Sequence, residues 1–425
     1  MAYKVSNVHA LEILDSRGRP TLEVTLQLDG GATGVAGVPS GASTGSREAV
    51  ELRDGDSKRW KGAGVTKAVA NVNGEINKLV AGRSWKSLEE LDRAVIELDA
   101  TPNKSRLGAN ATVGVSMAAA RAMAVEDGQP LYRWLATDES LMRLPVPHFN
   151  VVNGGAHAQN ELEFQEFMLA PLGAPNIAEA VRAGAEIYQA LRGILHAKGH
   201  STGLGDEGGF APALATPEDV LDLLVEAIEA SGYTPGREGV ALALDPAASE
   251  MREPDGTYRY STGTQLSTDQ MIDRYEELTS RYPIWSVEDG LGEDDWEGWE
   301  RLTARLGSRV QLVGDDIFVT NPSIIREAIA RKVANSALIK VNQIGTVTET
   351  LEAISVCRGA GYTQFISHRS GETPDTFIAD LAVASGAGQL KTGAPARGER
   401  VAKYNRLIGI AAENPALAYG MPGRR

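Results

Sequence analysis

Six short apolar segments between residues 240 and 393 each end in residues that could bind charge or transfer protons. The residues at these ends are Asp245, Glu288-Asp289, Asp315-Asp316, Lys340 with Asn342, His368-Arg369-Ser370, and Lys391 with Gly393. All intervals but the first are roughly 25 residues, the length of a strand, a helix and two loops in a parallel βα unit. In a (β/α) barrel such strand ends meet at the face that carries the active site. The order of charges predicts a metal site next to a proton-transfer group and an anion-binding group.

The three acids that lead this series predict a magnesium site. Asp245, Glu288 and Asp315 are hard oxygen donors with no Cys or His between them, which favours Mg²⁺ over Zn²⁺ or copper. Without a cation, three converging carboxylates repel one another and at least one takes up a proton. Any one of them alone could be a solvated strand end. Their recurrence on successive strands, each after an apolar run, favours the metal.

Lys340 ends the next strand and is the candidate base. Nearby positive charge disfavours its ammonium form, so we expect a lowered pKa beside a divalent cation and a second lysine. A neutral lysine can remove a proton from the carbon next to a carboxylate, and Mg²⁺ can stabilise the resulting ene-diolate. Arg369 and Ser370 offer donors to a phosphate, although Arg369 alone could form a rim salt bridge. Lys391 adds a point charge for a carboxylate.

Length, net charge, cysteine content and the distribution of apolar residues restrict the kinds of protein that this chain can be. The 425 residues can bury a large core, and a net charge of −14 argues against nucleic acid or an anionic membrane as the main partner. A single cysteine, Cys357, excludes an internal disulfide framework and fits a reducing cytoplasm. The first residues lack an apolar signal segment, and the most apolar run, 111–125, contains Arg121 and is too short to cross a bilayer. We therefore expect a cytoplasmic protein.

The N-terminal part predicts a separate α+β domain. Residues 4–39 alternate like an antiparallel meander, and helical patterns follow near 66–80, 87–98 and 109–127. The alternating prolines of 144–147 favour an extended connection, and there we place the boundary between a capping domain (1–140) and a barrel (141–425).

Three glycine-rich loops could serve a site. Ser40–Gly45 is small and polar, as expected of a closing loop or of an ordinary surface loop. Gly154–Ala158 presents His157. Gly203–Phe210 carries Asp206 and Glu207 among four glycines, either as a tight turn or as an acid-bearing loop. Between these loops and the strands, helices are predicted at 178–198 and 217–230, the second capped by Thr216 with Asp219.

Together these motifs resemble the enolases, the glycolytic 2-phosphoglycerate dehydratases, over essentially the whole chain. Any single motif is weak, but the set is highly specific. Lysine with Mg²⁺ is also the arrangement generally cited for the enolase superfamily. The matching segments are Ser40–Gly45, Asn153–His157, Gln165–Met168, Gly205–Gly209, Ala243–Asp245, Val287–Asp289, Gly314–Asp316, Leu338–Gly345, Ser367–Glu372 and Lys391–Gly393.

The resemblance implies a role for each matching residue. Lys340 would take the C2 proton, and Glu207, assisted by Glu166, would be the acid that releases the C3 hydroxyl as water. A first Mg²⁺ would be held by Asp245, Glu288 and Asp315, and a second would bridge the phosphate and Ser43 when the loop closes. The groups implied to orient and bind substrate are His157, Glu166, His368, Arg369, Ser370, Lys391, Ser40, Gly41 and Ala42. His368 also counts among the implied catalytic groups.

The implied fold is a modified TIM barrel, ββαα(βα)₆, behind a small N-terminal α+β domain, in a homodimer or higher homo-oligomer. Arg19, Pro374 and residues 407–411 depart from the family pattern, without removing a proposed catalytic group. These departures leave open an enolase-like enzyme of phosphonate metabolism, similar to the carboxyphosphonoenolpyruvate synthases. A catalytically silent, enolase-shaped binding protein is the third hypothesis. Three mutually repelling carboxylates argue against it.

Overall fold

The N-terminal residues form the predicted antiparallel sheet. The computed structural model describes residues 2–42, 44–158, 160–260 and 263–423. The sheet has the spatial order β3-β2-β1-β4, with β1 (Tyr3–Leu14), β2 (Pro20–Leu28), β3 (Thr33–Gly37) and β4 (Ser84–Trp85). Along β2, alternate side chains are buried against the helices that follow, as expected for a sheet covered on one face.

The helices of the N-terminal residues are α1 (Thr66–Asn71), α2 (Asn77–Val80), α3 (Leu88–Asp99), α4 (Ala109–Glu126) and α5 (Leu131–Trp134). The first four pack against the sheet, whereas α5 packs against α4. A π turn, Val72–Ile76, joins α1 to α2 within the helix predicted near 66–80. The helix α4 is buried along most of its length and lies directly on β3. A Cβ atom on Gly34 would lie 2.0 Å from the carbonyl oxygen of Ala118, so this close approach requires glycine.

Eight strands then close into a barrel. After the short β5 (Arg143–Leu144), they are β6 (Val146–Asn153), β7 (Glu166–Ala170), β8 (Ala241–Asp245), β11 (Ile284–Glu288), β12 (Gln311–Gly314), β13 (Ser336–Ile339), β14 (Thr363–Ser367) and β15 (Gln389–Lys391). Only β7 runs antiparallel to its neighbours β6 and β8, and the other barrel pairs are parallel. The predicted ββαα(βα)₆ barrel is confirmed.

The barrel helices are α6 (Ile177–Ala197), α7 (Pro217–Ala230), α8 (Thr268–Arg281), α9 (Trp296–Leu306), α10 (Pro322–Arg331), α11 (Val341–Ile344), α12 (Val347–Gly359), α13 (Phe377–Ser385) and α14 (Gly398–Glu413). At the start of α7, Thr216 and Asp219 form the reciprocal capping box that the sequence predicts. Two short pairs complete the fold: β9 (Tyr258–Tyr260) with β10 (Thr264–Leu266), and β16 (Ala418–Tyr419) with β5.

The N-terminal sheet is joined to the barrel by direct contacts. The Ser16 amide donates to the carbonyl oxygen of Glu372 (2.7 Å), and Ser40 pairs with Gly371 as an isolated bridge. Arg121 of α4 forms an ion pair with Asp375, whose donor and acceptor atoms Nη2 and Oδ1 lie 2.8 Å apart. The loop after β14 is therefore covered by the N-terminal residues. The domain boundary at residue 140 stays a prediction.

Cys357 lies in α12 and its side chain is fully buried. Among the described residues, no helix is long and apolar enough to cross a membrane.

A buried aspartate connects three helices. Asp92 of α3 accepts hydrogen bonds from the Ser116 hydroxyl of α4 (2.8 Å) and from the amide and hydroxyl of Thr348 in α12 (3.1 and 2.6 Å). Burial raises the pKa of Asp92 to about 6, although these hydrogen bonds act in the opposite direction.

We expect this residue to make stability depend on pH. Because the folded-state pKa lies above the unfolded value of 3.8, the contribution is full below pH 4 and is lost as pH rises through 6. The free energy of unfolding of the wild type, relative to Asp92→Asn, should therefore fall by up to about 3 kcal/mol between pH 4 and 7. Urea unfolding across this range measures it, with Glu89→Gln, on the exposed surface of α3, as control. Parallel profiles for wild type and Asp92→Asn would contradict it.

Candidate active site

The strand ends and two glycine-rich loops meet in one buried cavity at the open face of the barrel. Its walls are His157, Gln165, Glu166, Glu207, Asp245, Lys340, Ser367, His368, Arg369, Ser370 and Lys391. The cavity measures only about 10 Å³, room for no more than about one water molecule. Side chains or loops must therefore move before a substrate can enter.

The reversed direction of β7 brings Glu166 to this face. Glu166 is the first residue of β7 and lies opposite Asp245, the last residue of β8, in the antiparallel register. Burial, followed by the charge of Glu207, raises the pKa of Glu166 well above its ordinary value. Glu166 and Glu207 flank His157, whose Nδ1 lies 3.9 Å from Glu166 Oε1 and whose Nε2 lies 3.7 Å from Glu207 Oε1.

Glu207 accepts a hydrogen bond from one neutral side chain and lies close to another. The side-chain amide of Asn150, in β6, donates to Glu207 Oε2 (2.9 Å), and His368 Nε2 lies 3.2 Å from the same oxygen. His157 Nε2 also lies 3.1 Å from the Ser370 hydroxyl. Burial lowers the pKa of His157, and it lowers that of His368 to about 3 despite the nearby Glu207 carboxylate. Both imidazoles are therefore neutral at physiological pH.

Lys391 binds three carboxylates in the barrel interior. Its ammonium lies 2.7 Å from Glu288 Oε1, 3.2 Å from Glu166 Oε2 and 3.6 Å from Asp245 Oδ2. Burial alone would lower the pKa of Lys391, but Glu166 and Glu288 raise it well above its usual range. The point charge predicted for a substrate carboxylate is thus bound by protein carboxylates in this conformation.

The protein's own side chains raise the pKa of Lys340, and the lowered pKa expected beside a divalent cation stays a prediction. The Lys340 ammonium lies 2.5 Å from Asp315 Oδ2, while the Gln343 amide donates to Asp315 Oδ1 (2.8 Å). Burial would lower the pKa of Lys340, but the contact with Asp315 raises it. Repulsion from Arg369 and Lys391 acts in the expected direction and is outweighed.

The predicted metal ligands do not form one compact set. In the described part of the chain, the triads with ligand atoms within 4.8 Å of one another are Asp289-Asp315-Asp316 and His157-Glu166-Glu207. Asp245 and Glu288 instead both contact the ammonium group of Lys391, whose positive charge balances these buried carboxylates. Ser43, the predicted ligand of a second ion, lies outside the described residues.

The carboxylates nevertheless fit a divalent cation. Asp245, Glu288 and Asp315 are all buried and offer only oxygen. Burial and the charge of Asp245 raise the pKa of Glu288, and Glu288 Oε2 has no hydrogen-bond partner within the described ranges. A buried acceptor without a donor is the group that a cation would satisfy.

The predicted anion-binding arginine is held in a bidentate ion pair. Arg369 Nη1 and Nη2 donate to the two oxygens of Glu48 (2.9 and 3.1 Å), and Nη1 also donates to Asn342 (3.2 Å). A Cβ on Gly41 would lie 2.1 Å from Arg369 Nη2, so only glycine permits this approach. Gly41 and Glu48 therefore both lie against Arg369.

Ser40, Gly41 and Ala42, which were predicted to bind substrate, differ in their burial and in their contacts. Ser40 is buried, and its hydroxyl accepts from Arg53 (2.8 Å), while Arg17 donates to the carbonyl oxygens of Ser40 and Gly41 (3.2 Å each). Ala42 is exposed. Main-chain groups of 40–42 are thus held in place by arginines of the N-terminal residues.

Sequence reasoning missed four residues that organise the site: Glu48, Asn150, Gln343 and Arg400. Arg400 offered a signal, because it lies in the first turn of α14, where the helix dipole disfavours a cation. The departures from the family pattern, by contrast, lie outside the cavity wall. Arg19 and Pro374 are both exposed.

Comparison with known proteins agrees with this geometry. The family models described as Enolase, N-terminal domain, and Enolase, C-terminal TIM barrel domain, match residues 5–135 and 141–419. A relative named Enolase, from Rubrobacter xylanophilus, is 57% identical over 425 residues, covering 98% of this chain and 98% of that protein. On these matches over nearly its whole length, the chain belongs to the enolase family and is a hydro-lyase of the phosphopyruvate hydratase type.

Proposed function

We propose that the protein catalyses the reversible, Mg²⁺-dependent dehydration of 2-phospho-D-glycerate to phosphoenolpyruvate. The observation that carries this proposal is that Lys340, Glu207 and Arg369 line the same buried cavity. A base, an acid and an anion-binding group in one cavity are the parts that elimination from a phosphorylated hydroxy acid requires.

Lys340 would remove the proton from C2, and the electron pair left on carbon would form the C2–C3 double bond. The C3 hydroxyl would leave as water with a proton from Glu207, which Glu166 assists. Lys340 must be neutral to act, and its contact with Asp315 opposes this state. Mg²⁺, which enolases generally use, would be held by Asp245, Glu288 and Asp315 and would supply positive charge to the substrate carboxylate.

The remaining groups would bind and orient the substrate. Arg369 and Ser370 would take the phosphate, which requires the Arg369 guanidinium to share or exchange its contacts with Glu48. His157 and the main chain of 40–42 would close over the substrate and exclude water. Lys391 would keep Glu166, Glu288 and Asp245 in place. A second Mg²⁺ would be held with the help of Ser43 and would supply positive charge to the substrate phosphate.

We also propose a cytoplasmic homodimer or higher homo-oligomer that acts on a small phosphorylated acid. The net charge of −14 and the buried single cysteine support this setting. Neither nucleic acid nor a membrane is expected as a partner.

Turnover of 2-phosphoglycerate is the direct test. Purified protein with Mg²⁺ should produce phosphoenolpyruvate, followed by its ultraviolet absorbance, and excess EDTA should abolish the reaction until Mg²⁺ is restored. A folded protein that binds Mg²⁺ but gives no turnover would contradict the proposal. Phosphonate analogues would then be assayed, because an enolase-like enzyme of phosphonate metabolism is the alternative.

Removing the base or a metal ligand should stop catalysis without unfolding the protein. Lys340→Ala and Asp315→Ala should each lower kcat by about 10²–10⁴-fold, because proton transfer and cation binding are lost. Circular dichroism should show a retained fold, and Lys198→Ala, at an exposed lysine, should keep full activity. Full Mg²⁺-dependent activity of Asp315→Ala would refute the metal assignment.

The contact between Gly41 and Arg369 predicts a selective loss. In Gly41→Ala the new methyl group must displace the Arg369 guanidinium, and a misplacement of about 1 Å can reduce activity roughly 100-fold. Steady-state kinetics should show a raised KM and a lowered kcat with little change in Tm. Gly193→Ala, in α6 where a Cβ meets nothing within 4 Å, is the matched control. Equal kinetics for the two variants would show that the 40–42 loop does not position Arg369.

A further inference from the structure

Arg400 is a fully buried arginine that contacts Nδ1 of His368, the ring nitrogen that does not approach Glu207. Arg400 lies in the first turn of α14, and its side chain has no exposed surface. Its Nη1 lies 2.5 Å from His368 Nδ1 and 2.7 Å from the carbonyl oxygen of Arg369. Its Nη2 donates to the carbonyl oxygens of Ser370 (2.5 Å) and Asp206 (3.2 Å). One guanidinium thus joins the loop after β14 to the loop that carries Glu207.

The chemistry of guanidinium decides the protonation state of His368. Every guanidinium N–H is a donor and none of its nitrogens can accept, so His368 Nδ1 must be the acceptor in this contact. A neutral imidazole that accepts at Nδ1 carries its proton at Nε2. His368 Nε2 lies 3.2 Å from Glu207 Oε2. The nitrogen that carries the hydrogen is therefore the one next to the proposed acid, although the two groups are not aligned as a hydrogen bond in this conformation.

We propose that Arg400 is a positioning residue that locks His368 in the neutral Nε2–H tautomer, so that His368 presents an N–H group, and not a lone pair, to Glu207. The inference rests on the proposed dehydration for its kinetic consequence, but the tautomer itself does not depend on it. In this tautomer His368 orients Glu207, the proposed acid. His368 does not itself donate the proton to the leaving hydroxyl. An imidazolium would place an N–H against the N–H of Arg400.

The surroundings of His368 agree with this assignment. The charged or titratable groups that act on it are Glu207 from the 203–210 loop, Arg400 from α14 and Lys391 from β15. Arg400 and Lys391 both disfavour a second proton on the ring, as does burial. Glu399, adjacent on α14, lies 3.3 Å from Arg400 Nε and balances part of its charge.

Nuclear magnetic resonance of the intact wild-type protein tests the tautomer directly. With ¹⁵N-labelled histidine, only six histidines contribute signals, and loss of one set in His368→Gln assigns His368. Long-range ¹H–¹⁵N correlations should show an unprotonated Nδ1 and a protonated Nε2, unchanged between pH 5.5 and 8.5. A proton on Nδ1, or imidazolium formation within this range, would overturn the proposal. This result is independent of whether 2-phosphoglycerate is the substrate.

Variants of Arg400 test the consequence for catalysis. Partners that fix a histidine tautomer are typically worth about 10–100-fold in activity at metal sites, and we expect a loss of that size in kcat for Arg400→Met. KM should change less, and the pH–rate profile should gain a limb from protonation of His368. Arg400→Lys retains a donor and should recover part of the activity.

Arg406→Met is the matched control, because Arg406 lies on the same helix and pairs with Asp380 (2.7 Å) away from the site. It should leave kcat and the pH profile unchanged. Should Arg400→Met fail to fold, the wild-type tautomer and the Arg400→Lys profile still decide the question. An unaltered pH profile in a folded Arg400→Met would refute the role. If the wild type gave no turnover of 2-phosphoglycerate while the tautomer was observed, the proposed function would fail and the positioning inference would stand.

Discussion

Pairing of buried charges is the constraint on which the rest of the active face depends. Burying an ionised group is unfavourable unless an opposite charge and hydrogen bonds compensate for the lost hydration. Lys391 meets this requirement for Glu166, Glu288 and Asp245, and Lys340 meets it for Asp315. The protein as a whole is strongly acidic, yet its site is locally balanced. A cation that binds these carboxylates must therefore compete with, or rearrange, ammonium groups already present.

The same constraint connects the barrel to the N-terminal residues. Arg369 is neutralised by Glu48, which follows the 40–45 loop, and Arg17 and Arg53 bind Ser40 at the start of that loop. Substrate phosphate would bring an anion to the guanidinium that Glu48 now binds. The charge state of the anion site and the position of the loop are thus coupled through one ion pair. The N-terminal sheet is part of the catalytic apparatus in the proposed mechanism.

The antiparallel strand β7 brings an additional acidic residue to the active face of the barrel. In an all-parallel barrel the first residue of a strand lies at the bottom face, remote from catalysis. Because β7 runs antiparallel, its first residue, Glu166, lies beside Asp245 at the top. Residues from a strand start, several strand ends and neighbouring loops then share one cavity. The buried Arg400 joins two of these segments, the loop after β14 and the loop that carries Glu207.

Local pattern determined which residues could take part. Apolar runs that end in Asp245, Glu288, Asp315, Lys340 and Lys391 recur at the spacing of βα units, and this alone predicts that their side chains reach one face. The capping box of α7 was equally local, since it needs only residues three apart. Family resemblance added the reversed second strand and the chemical role of each residue.

Tertiary structure decided how the charged groups pair. The contact of Lys340 with Asp315, the ion pair of Arg369 with Glu48 and the support of His368 by Arg400 join residues distant in sequence. The direction in which the protein itself shifts the pKa of Lys340 followed from one such contact, with Asp315, which the sequence did not reveal. Strand periodicity specifies the direction of a side chain, whereas Coulomb energy depends on the distance between end groups. That distance is set by packing among segments far apart in the chain, which is why the sequence predicted the members of the site but not their partners.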